Sequence, residues 1–129
     1  MPRPSSTQPT EVELQILRIL WELGPSPVRE IHGRLEADKG TNYSTTVKML
    51  SVMLRKGLLK RDEAAQPHVY RPVLSRRKAG QRMLHDLIDK VYDGSAMSLV
   101  LQTLSSGKAT KEELNEIRRL LDQMEGKQS

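Results

Sequence analysis

The segment from about Ser44 to Lys56 most constrains what this chain can fold into. Its apolar residues recur at helical spacing, and the run stops at Gly57. Two short extended runs follow, LLKRD and HVYRP, separated by the loop EAAQP. This order predicts a helix that leads directly into a β-hairpin.

Two further helices are predicted ahead of this segment. Thr10 and Glu13 form a capping box at the start of the first, which a Gly-Pro pair ends. Ser26 is expected to cap the second, with Pro27 at its first position. Three helices and a hairpin in this order are typical of a winged helix-turn-helix. We expect that domain at residues 10–74, after a mobile arm at residues 1–9.

The charge of the chain is concentrated in this part. Residues 1–80 hold 14 Lys and Arg against 8 Asp and Glu, a net charge of +6, whereas residues 81–129 hold 7 against 8, a net charge of −1. A basic excess of this kind fits a polyanionic partner such as double-stranded DNA, although a solvated basic face without a partner is the alternative.

The third helix is expected to bury Val47, Leu50 and Leu54 and to turn its hydroxyl and basic residues outwards. Short hydroxyls and cations suit phosphates and base edges. The predicted DNA-binding residues lie on this helix, its N-terminus and the hairpin, or wing: Thr41, Asn42, Ser44, Thr45, Lys48, Ser51, Arg55, Lys60, Arg61, His68 and Arg71.

Residues 75–129 predict a small helical domain. Ser75 is expected to cap a fourth helix, AMSLVLQTL forms a fifth, and Thr110 with Glu113 is a second capping box for the last. A segment as short as residues 75–129 rarely buries enough apolar surface to be stable alone. We therefore expect a homodimer, with packing of this segment onto the N-terminal domain of the same chain as the alternative. The predicted dimer interface is apolar: Met83, Leu87, Val91, Val100, Leu101, Leu104, Leu114, Ile117, Leu121 and Met124.

Other classes of protein find little support in the sequence. There is no cysteine, GxSxG motif or Walker loop, and the three histidines lack metal-ligand spacing, so we expect no enzyme, metal or cofactor. RNA binding is disfavoured because aromatic residues, which stack on bases, make up only 3% of the chain. A winged helix used for protein–protein contact remains the alternative function. The segment MPRPSSTQPT has no apolar h-region and no apolar run approaches the length of a membrane helix, so we expect no signal peptide and a cytoplasmic protein without membrane insertion.

Several segments together resemble the BlaI/MecI/CopY family, the penicillinase repressors of bacteria. These are TEVELQILRILWELGPSPVREIHGRL, NYSTTVKMLSVMLRKGLLKRDEAAQPHVYRP and SLVLQTLSSGKATKEELNEIRRLLDQM. The resemblance implies a mainly α fold, in which a winged helix-turn-helix DNA-binding domain precedes a small α-helical dimerisation domain. It also implies a repressor that binds a dyad-symmetric operator as a homodimer.

Two departures from the family concern the inducing signal. Copper-responsive members carry C-terminal Cys-x-Cys ligands, and the absence of cysteine rules out that signal here. Members of the β-lactamase branch are cut by a membrane sensor protease at an Asn–Phe bond, and this chain has Gln102–Thr103 at the corresponding place. If such a protease is a partner, we expect it to have a different cleavage specificity.

Overall fold

The computed structural model describes residues 8–128 and contains six helices and three short strands within that range. In chain order they are α1 (Glu11–Leu23), β1 (Ser26–Pro27), α2 (Val28–Lys39), α3 (Tyr43–Arg55), β2 (Leu59–Asp62), β3 (Val69–Pro72), α4 (Arg76–Val91), α5 (Ala96–Ser105) and α6 (Lys111–Gln128). The strands form one antiparallel sheet in the order β1-β3-β2. The mainly helical fold with a winged helix is therefore confirmed. Most of the predicted arm, residues 1–7, lies outside the described residues.

The chain divides into two compact units, one ending at Met83 and the other beginning at Leu84. This division falls inside α4, nine residues beyond the boundary predicted after residue 74. The functional division at that earlier boundary stays a prediction.

The core of the first unit lies where α1, α2 and α3 meet the sheet. α1 contributes four buried apolar side chains, α2 and α3 contribute two each, and the sheet adds two more: Ile16, Leu17, Ile19, Leu20, Ile31, Leu35, Leu50, Met53, Leu59 and Tyr70. These positions recur at helical spacing along each helix, and their burial holds the helix-turn-helix and the wing in one body.

The inward face of α3 differs from the prediction. Thr46, Leu50 and Met53 are buried, whereas Val47 is 40% exposed and Leu54 is only half-buried. The helix is therefore rotated relative to the predicted phase. A buried threonine is possible because His32 Nδ1 of α2 lies 2.9 Å from Thr46 Oγ1 and satisfies the hydroxyl.

The predicted start of α2 is also wrong. Ser26 does not cap the helix, because its hydroxyl donates to the Gly24 carbonyl oxygen at 2.8 Å. Ser26 and Pro27 instead pair with Tyr70 and Val69 as the third strand of the sheet, and α2 begins at Val28.

An ion pair fastens the end of α3 to the start of α1. Lys56 Nζ donates to Glu13 Oε1 at 2.6 Å, and the side chains are only 17% and 8% exposed. Burial alone would raise the pKa of Glu13, but hydrogen bonds from Lys56 and from Thr10 lower it below its ordinary value of 4.5. The predicted capping box is confirmed, since Glu13 Oε1 also accepts from the Thr10 N–H and the Glu13 N–H donates to Thr10 Oγ1.

Replacing Glu13 by glutamine should reduce the free energy of unfolding by about 1–3 kcal/mol at neutral pH, because a charge-assisted buried contact is lost. The folded-state pKa of Glu13 lies below the unfolded value, so its contribution is complete above 4.5 and is lost as the pH falls through the folded value. Urea unfolding should therefore show the two proteins converging in acid. Glu22→Gln is the matched control: Glu22 pairs with Arg34 on the exposed surface, and its loss should change stability by less than about 0.5 kcal/mol. A pH-independent difference between Glu13→Gln and the unchanged protein would contradict this assignment.

The second unit has no buried core of its own among its described residues. Between Leu84 and Lys127 every side chain is exposed or half-buried. Large apolar residues at the surface include Val91, Met97 and Leu101, which are 62%, 71% and 58% exposed. The predicted capping box of α6 is confirmed by reciprocal hydrogen bonds between Thr110 and Glu113.

Candidate nucleic-acid interface

Asn42 caps the exposed N-terminus of α3. Its Oδ1 accepts the Thr45 N–H at 2.9 Å, the Thr45 hydroxyl at 2.8 Å and the Ser44 hydroxyl at 2.9 Å. Thr41, just before the cap, is half-buried, and Asn42, Ser44 and Thr45 are exposed. The two predicted hydroxyls therefore belong to the cap as well as to the surface. Helix N-termini carry a partial positive charge that suits an anion.

A polar stripe follows along α3. Ser44, Lys48, Ser51 and Arg55 are exposed and lie four, three and four residues apart, so they share one face of the helix. This face lies opposite the buried Thr46, Leu50 and Met53, with Thr45 at its edge. The helix contains no Asp or Glu, so nothing on α3 itself neutralises the two cations.

Two valines flank the polar stripe. Val47 and Val52 are 40% and 36% exposed, on opposite sides of the stripe. Sequence reasoning missed Val47 as a surface residue because it assigned it to the core. Exposed apolar side chains beside a polar stripe are suited to contact with thymine methyl groups.

The buried side of α3 is held by α2. Besides its bond to Thr46, the His32 ring packs edge-on against Tyr43, with ring centroids 5.2 Å apart. Thr46 Oγ1 also donates to the Asn42 carbonyl oxygen at 3.5 Å. These contacts fix the rotation of α3, and therefore which of its residues face outwards.

The three predicted cations of the wing lie on two faces of the hairpin. Lys60 lies directly opposite Arg71 in the register of β2 and β3, and both are exposed. Like charges in directly opposed positions destabilise an isolated sheet, so a site of this kind suits a bound anion.

Arg61 lies opposite Tyr70 on the other face and donates to Glu63 Oε1 at 2.6 Å. Its hydrogen bond with Glu63 raises the pKa of Arg61, and the same bond lowers the pKa of Glu63. Arg61 is therefore already paired with a carboxylate, whereas Lys60 and Arg71 have no carboxylate partner in the part of the chain that the structure describes.

His68 is exposed at the end of the wing loop and lines an open groove of about 590 Å³. Arg29, from the first turn of α2, and Tyr43, from the first turn of α3, line the same groove. Sequence reasoning missed Arg29 and Tyr43, because only the fold brings the starts of the two helices next to the wing. Their proximity adds a cation and a phenol to the candidate interface.

The residues predicted for the second unit lie on its three helical segments. Val91, Val100, Leu101, Leu121 and Met124 are exposed, whereas Leu104, Leu114 and Ile117 are half-buried. Leu87, farther back on α4, is also exposed, and Met83 is half-buried at the end of the first unit. Their pairing with a second copy stays a prediction.

The predicted cleavage pair lies inside α5. Gln102 Oε1 accepts the Tyr92 hydroxyl at 3.0 Å, and the Thr103 hydroxyl donates to the Leu99 carbonyl oxygen at 2.8 Å. Both residues are exposed. A protease would have to unwind this helix to bind the bond in an extended form.

No cluster of three or more His, Cys, Asp or Glu side chains is placed to hold a metal ion within residues 8–128. None of the helices in that range has the length and apolar character needed to span a membrane.

Comparison with known proteins gives a consistent result. A family model described as penicillinase repressor matches residues 9–123. The penicillinase repressor of Bacillus licheniformis is 23% identical over 116 residues, which cover 90% of this chain and 91% of that protein. The methicillin resistance regulatory protein MecI of Staphylococcus aureus (strain N315) is 20% identical over 113 residues, covering 88% and 92%, and MecI of Staphylococcus epidermidis gives the same values.

Proposed function

Because the chain belongs to the penicillinase repressor family, we propose that it is a transcriptional repressor that binds operator DNA as a homodimer and is released by an inducing signal. The observation that carries this proposal is the exposed stripe of Ser44, Lys48, Ser51 and Arg55 on a helix without carboxylates. The names of its relatives, repressors and regulators of resistance, support the same function.

In this proposal α3 is the recognition helix and lies in the major groove. Lys48 and Arg55 donate to guanine acceptors, the serine hydroxyls reach base edges or phosphates, and Val47 and Val52 contact thymine methyl groups. The buried contact between Thr46 and His32 positions this face and touches no base.

The phosphate backbone is bound by groups around the recognition helix. The capped N-terminus of α3 receives one phosphate, and Lys60 and Arg71 each receive a further one at the same face of the wing. Arg29 and His68 line the open groove beside the start of α2. Arg61 contributes less to phosphate binding than Lys60 and Arg71 do, because its charge is already paired with Glu63.

The second unit supplies the dimer in this proposal. Its described residues include no buried side chain, and α6 carries Leu114, Ile117, Leu121 and Met124 at spacings of three, four and three. Such a seam matches the heptad pattern by which helices pair. A two-fold dimer presents two recognition helices, so the operator is expected to be dyad-symmetric.

If release is proteolytic, we propose that the cut lies within α5. α5 has no buried residue, so local opening of this helix requires little loss of packing. Cleavage at Gln102–Thr103 would separate α6, which carries the seam, from the DNA-binding unit and would weaken the dimer.

The dependence of DNA affinity on salt tests the proposal against a winged helix that binds protein. If Arg29, Lys60 and Arg71 of both copies neutralise about six phosphates, log K should fall by about 5 for each tenfold rise in salt. Fluorescence anisotropy with a short labelled duplex gives this slope directly. Lys60→Ala should reduce the slope by about 2, because two copies are lost. An affinity that does not change with salt would contradict DNA binding.

A further inference from the structure

A pocket of about 260 Å³ lies within the first unit, and none of the predicted DNA-binding residues lines it. It is bounded by α1, by the turn between α3 and β2, and by the turn between β3 and α4. Leu17, Trp21 and Leu58 supply its apolar wall. The indole N–H of Trp21 donates to the Leu74 carbonyl oxygen at 3.0 Å, which fixes the orientation of the ring. The volume is suited to a small ligand.

Arg82 supplies the uncompensated charge of the pocket, because the other cation that lines it, Lys56, is paired with Glu13. The described lining residues of the pocket include no carboxylate. The Lys56 ammonium donates to Glu13 Oε1 and to the Gln8 carbonyl oxygen. The third of its N–H groups remains to donate to a ligand. Arg82 is exposed and has no hydrogen-bond or ion-pair partner within residues 8–128. An apolar wall beside an unpaired guanidinium favours a ligand with an apolar body and one negative group.

We infer that this pocket binds a small carboxylic acid with an aromatic or aliphatic body. The carboxylate lies against the Arg82 guanidinium and the remaining Lys56 N–H, and the body packs on Trp21 and Leu58. Guanidinium groups bind carboxylates through charge-assisted, often bidentate hydrogen bonds. Apolar contact with the wall supplies the remaining affinity.

The position of the pocket makes such a ligand a candidate inducer. Lys56 and Gly57 directly follow the recognition helix, and Val73 and Leu74 directly follow the wing. A bound acid would contact the ends of both elements that carry the candidate DNA interface. This regulatory role rests on the proposed function, whereas ligand binding itself does not.

Trp21 is the only tryptophan of the chain, so its emission reports on the pocket. The full chain is titrated with 4-phenylbutyrate and, separately, with 4-phenylbutyramide, which has the same body without the charge. We expect a saturable change in Trp21 emission, with the carboxylate bound about fivefold or more tightly than the amide. A non-saturating response, or equal affinity for the two probes, would overturn the inference.

Two arginine variants on α4 locate the charge that matters. Arg82→Gln should bring the affinity for 4-phenylbutyrate down to that for the amide. Arg77→Gln, an exposed arginine of the same helix that does not line the pocket, should leave the affinity unchanged. Equal losses in the two variants would refute a specific site. Since both measurements are made without DNA, they stand or fall independently of the repressor function.

Discussion

Leu121→Asp is expected to convert the protein from a dimer to a monomer at micromolar concentration. Leu121 is 52% exposed on a single chain, and it lies on the α6 stripe with Leu114, Ile117 and Met124. If this stripe packs against a second copy, the aspartate places an unpaired carboxylate in an apolar interface, which is strongly unfavourable. Sedimentation velocity gives the mass, and circular dichroism should show that the helices of the first unit remain folded.

Gln123→Asp is the matched control for this substitution. It adds the same charge to the same helix, two residues away, on the face opposite the stripe. We expect Gln123→Asp to stay dimeric. If Leu121→Asp also stays dimeric, the seam is assigned to the wrong residues.

The loss of the dimer should also reduce binding to a dyad-symmetric operator. A linked second half-site raises affinity by about 100-fold or more through its effective concentration, so the monomer should lose at least that factor. Binding to a single half-site should change little, because the substitution lies outside the first unit. Equal losses on the full operator and on the half-site would indicate damage to the DNA-binding unit instead.

Local signals in the sequence were sufficient to place the helices. The pairs Thr10–Glu13 and Thr110–Glu113 predict helix starts, and both form the expected reciprocal hydrogen bonds. A capping box involves residues three positions apart, so nothing distant has to be known. The order of three helices and a hairpin was predictable for the same reason.

The rotation of α3 was not predictable, because it depends on a partner in another helix. Val47 is more apolar than Thr46, yet Thr46 is the buried residue because its hydroxyl bonds to His32. Val47 is therefore turned to the surface. The two-residue strand at Ser26 was missed for a similar reason. It exists only through its pairing with Val69 and Tyr70, more than forty residues along the chain.

The division of the wing cations also required the three-dimensional register. Sequence alone treats Lys60, Arg61 and Arg71 as one basic cluster. The pairing of β2 with β3 places Lys60 beside Arg71 and leaves Arg61 beside Tyr70 and Glu63. This makes Lys60 a better probe of phosphate binding than Arg61.

Lys48→Ala is expected to reduce operator affinity by about 2–6 kcal/mol in the dimer, since a good base contact is worth about 1–3 kcal/mol and is lost twice. Lys48 is exposed at the centre of the α3 stripe and lies opposite the core. Its replacement should therefore change the free energy of unfolding by less than about 0.5 kcal/mol. Thr45→Ala is a less direct test, because the Thr45 hydroxyl also bonds to the Asn42 cap.

Two further variants serve as controls for Lys48→Ala, because each also removes one lysine charge. Lys60→Ala removes a cation from the wing, and Lys111→Ala removes one from the exposed start of α6. A phosphate contact carries no sequence information, so Lys60→Ala should weaken binding to operator and to random DNA about equally. Lys111→Ala should leave both affinities nearly unchanged.

The ratio of operator to random-DNA affinity tests most directly whether α3 reads the sequence. The operator is first selected from a pool of random duplexes with the unchanged protein, and anisotropy titrations of all four proteins are then made at one salt concentration. We expect the ratio to fall by about tenfold or more for Lys48→Ala and to stay constant for Lys60→Ala and Lys111→Ala. An unchanged ratio in Lys48→Ala would contradict the assignment of the stripe on α3 as the sequence-reading surface.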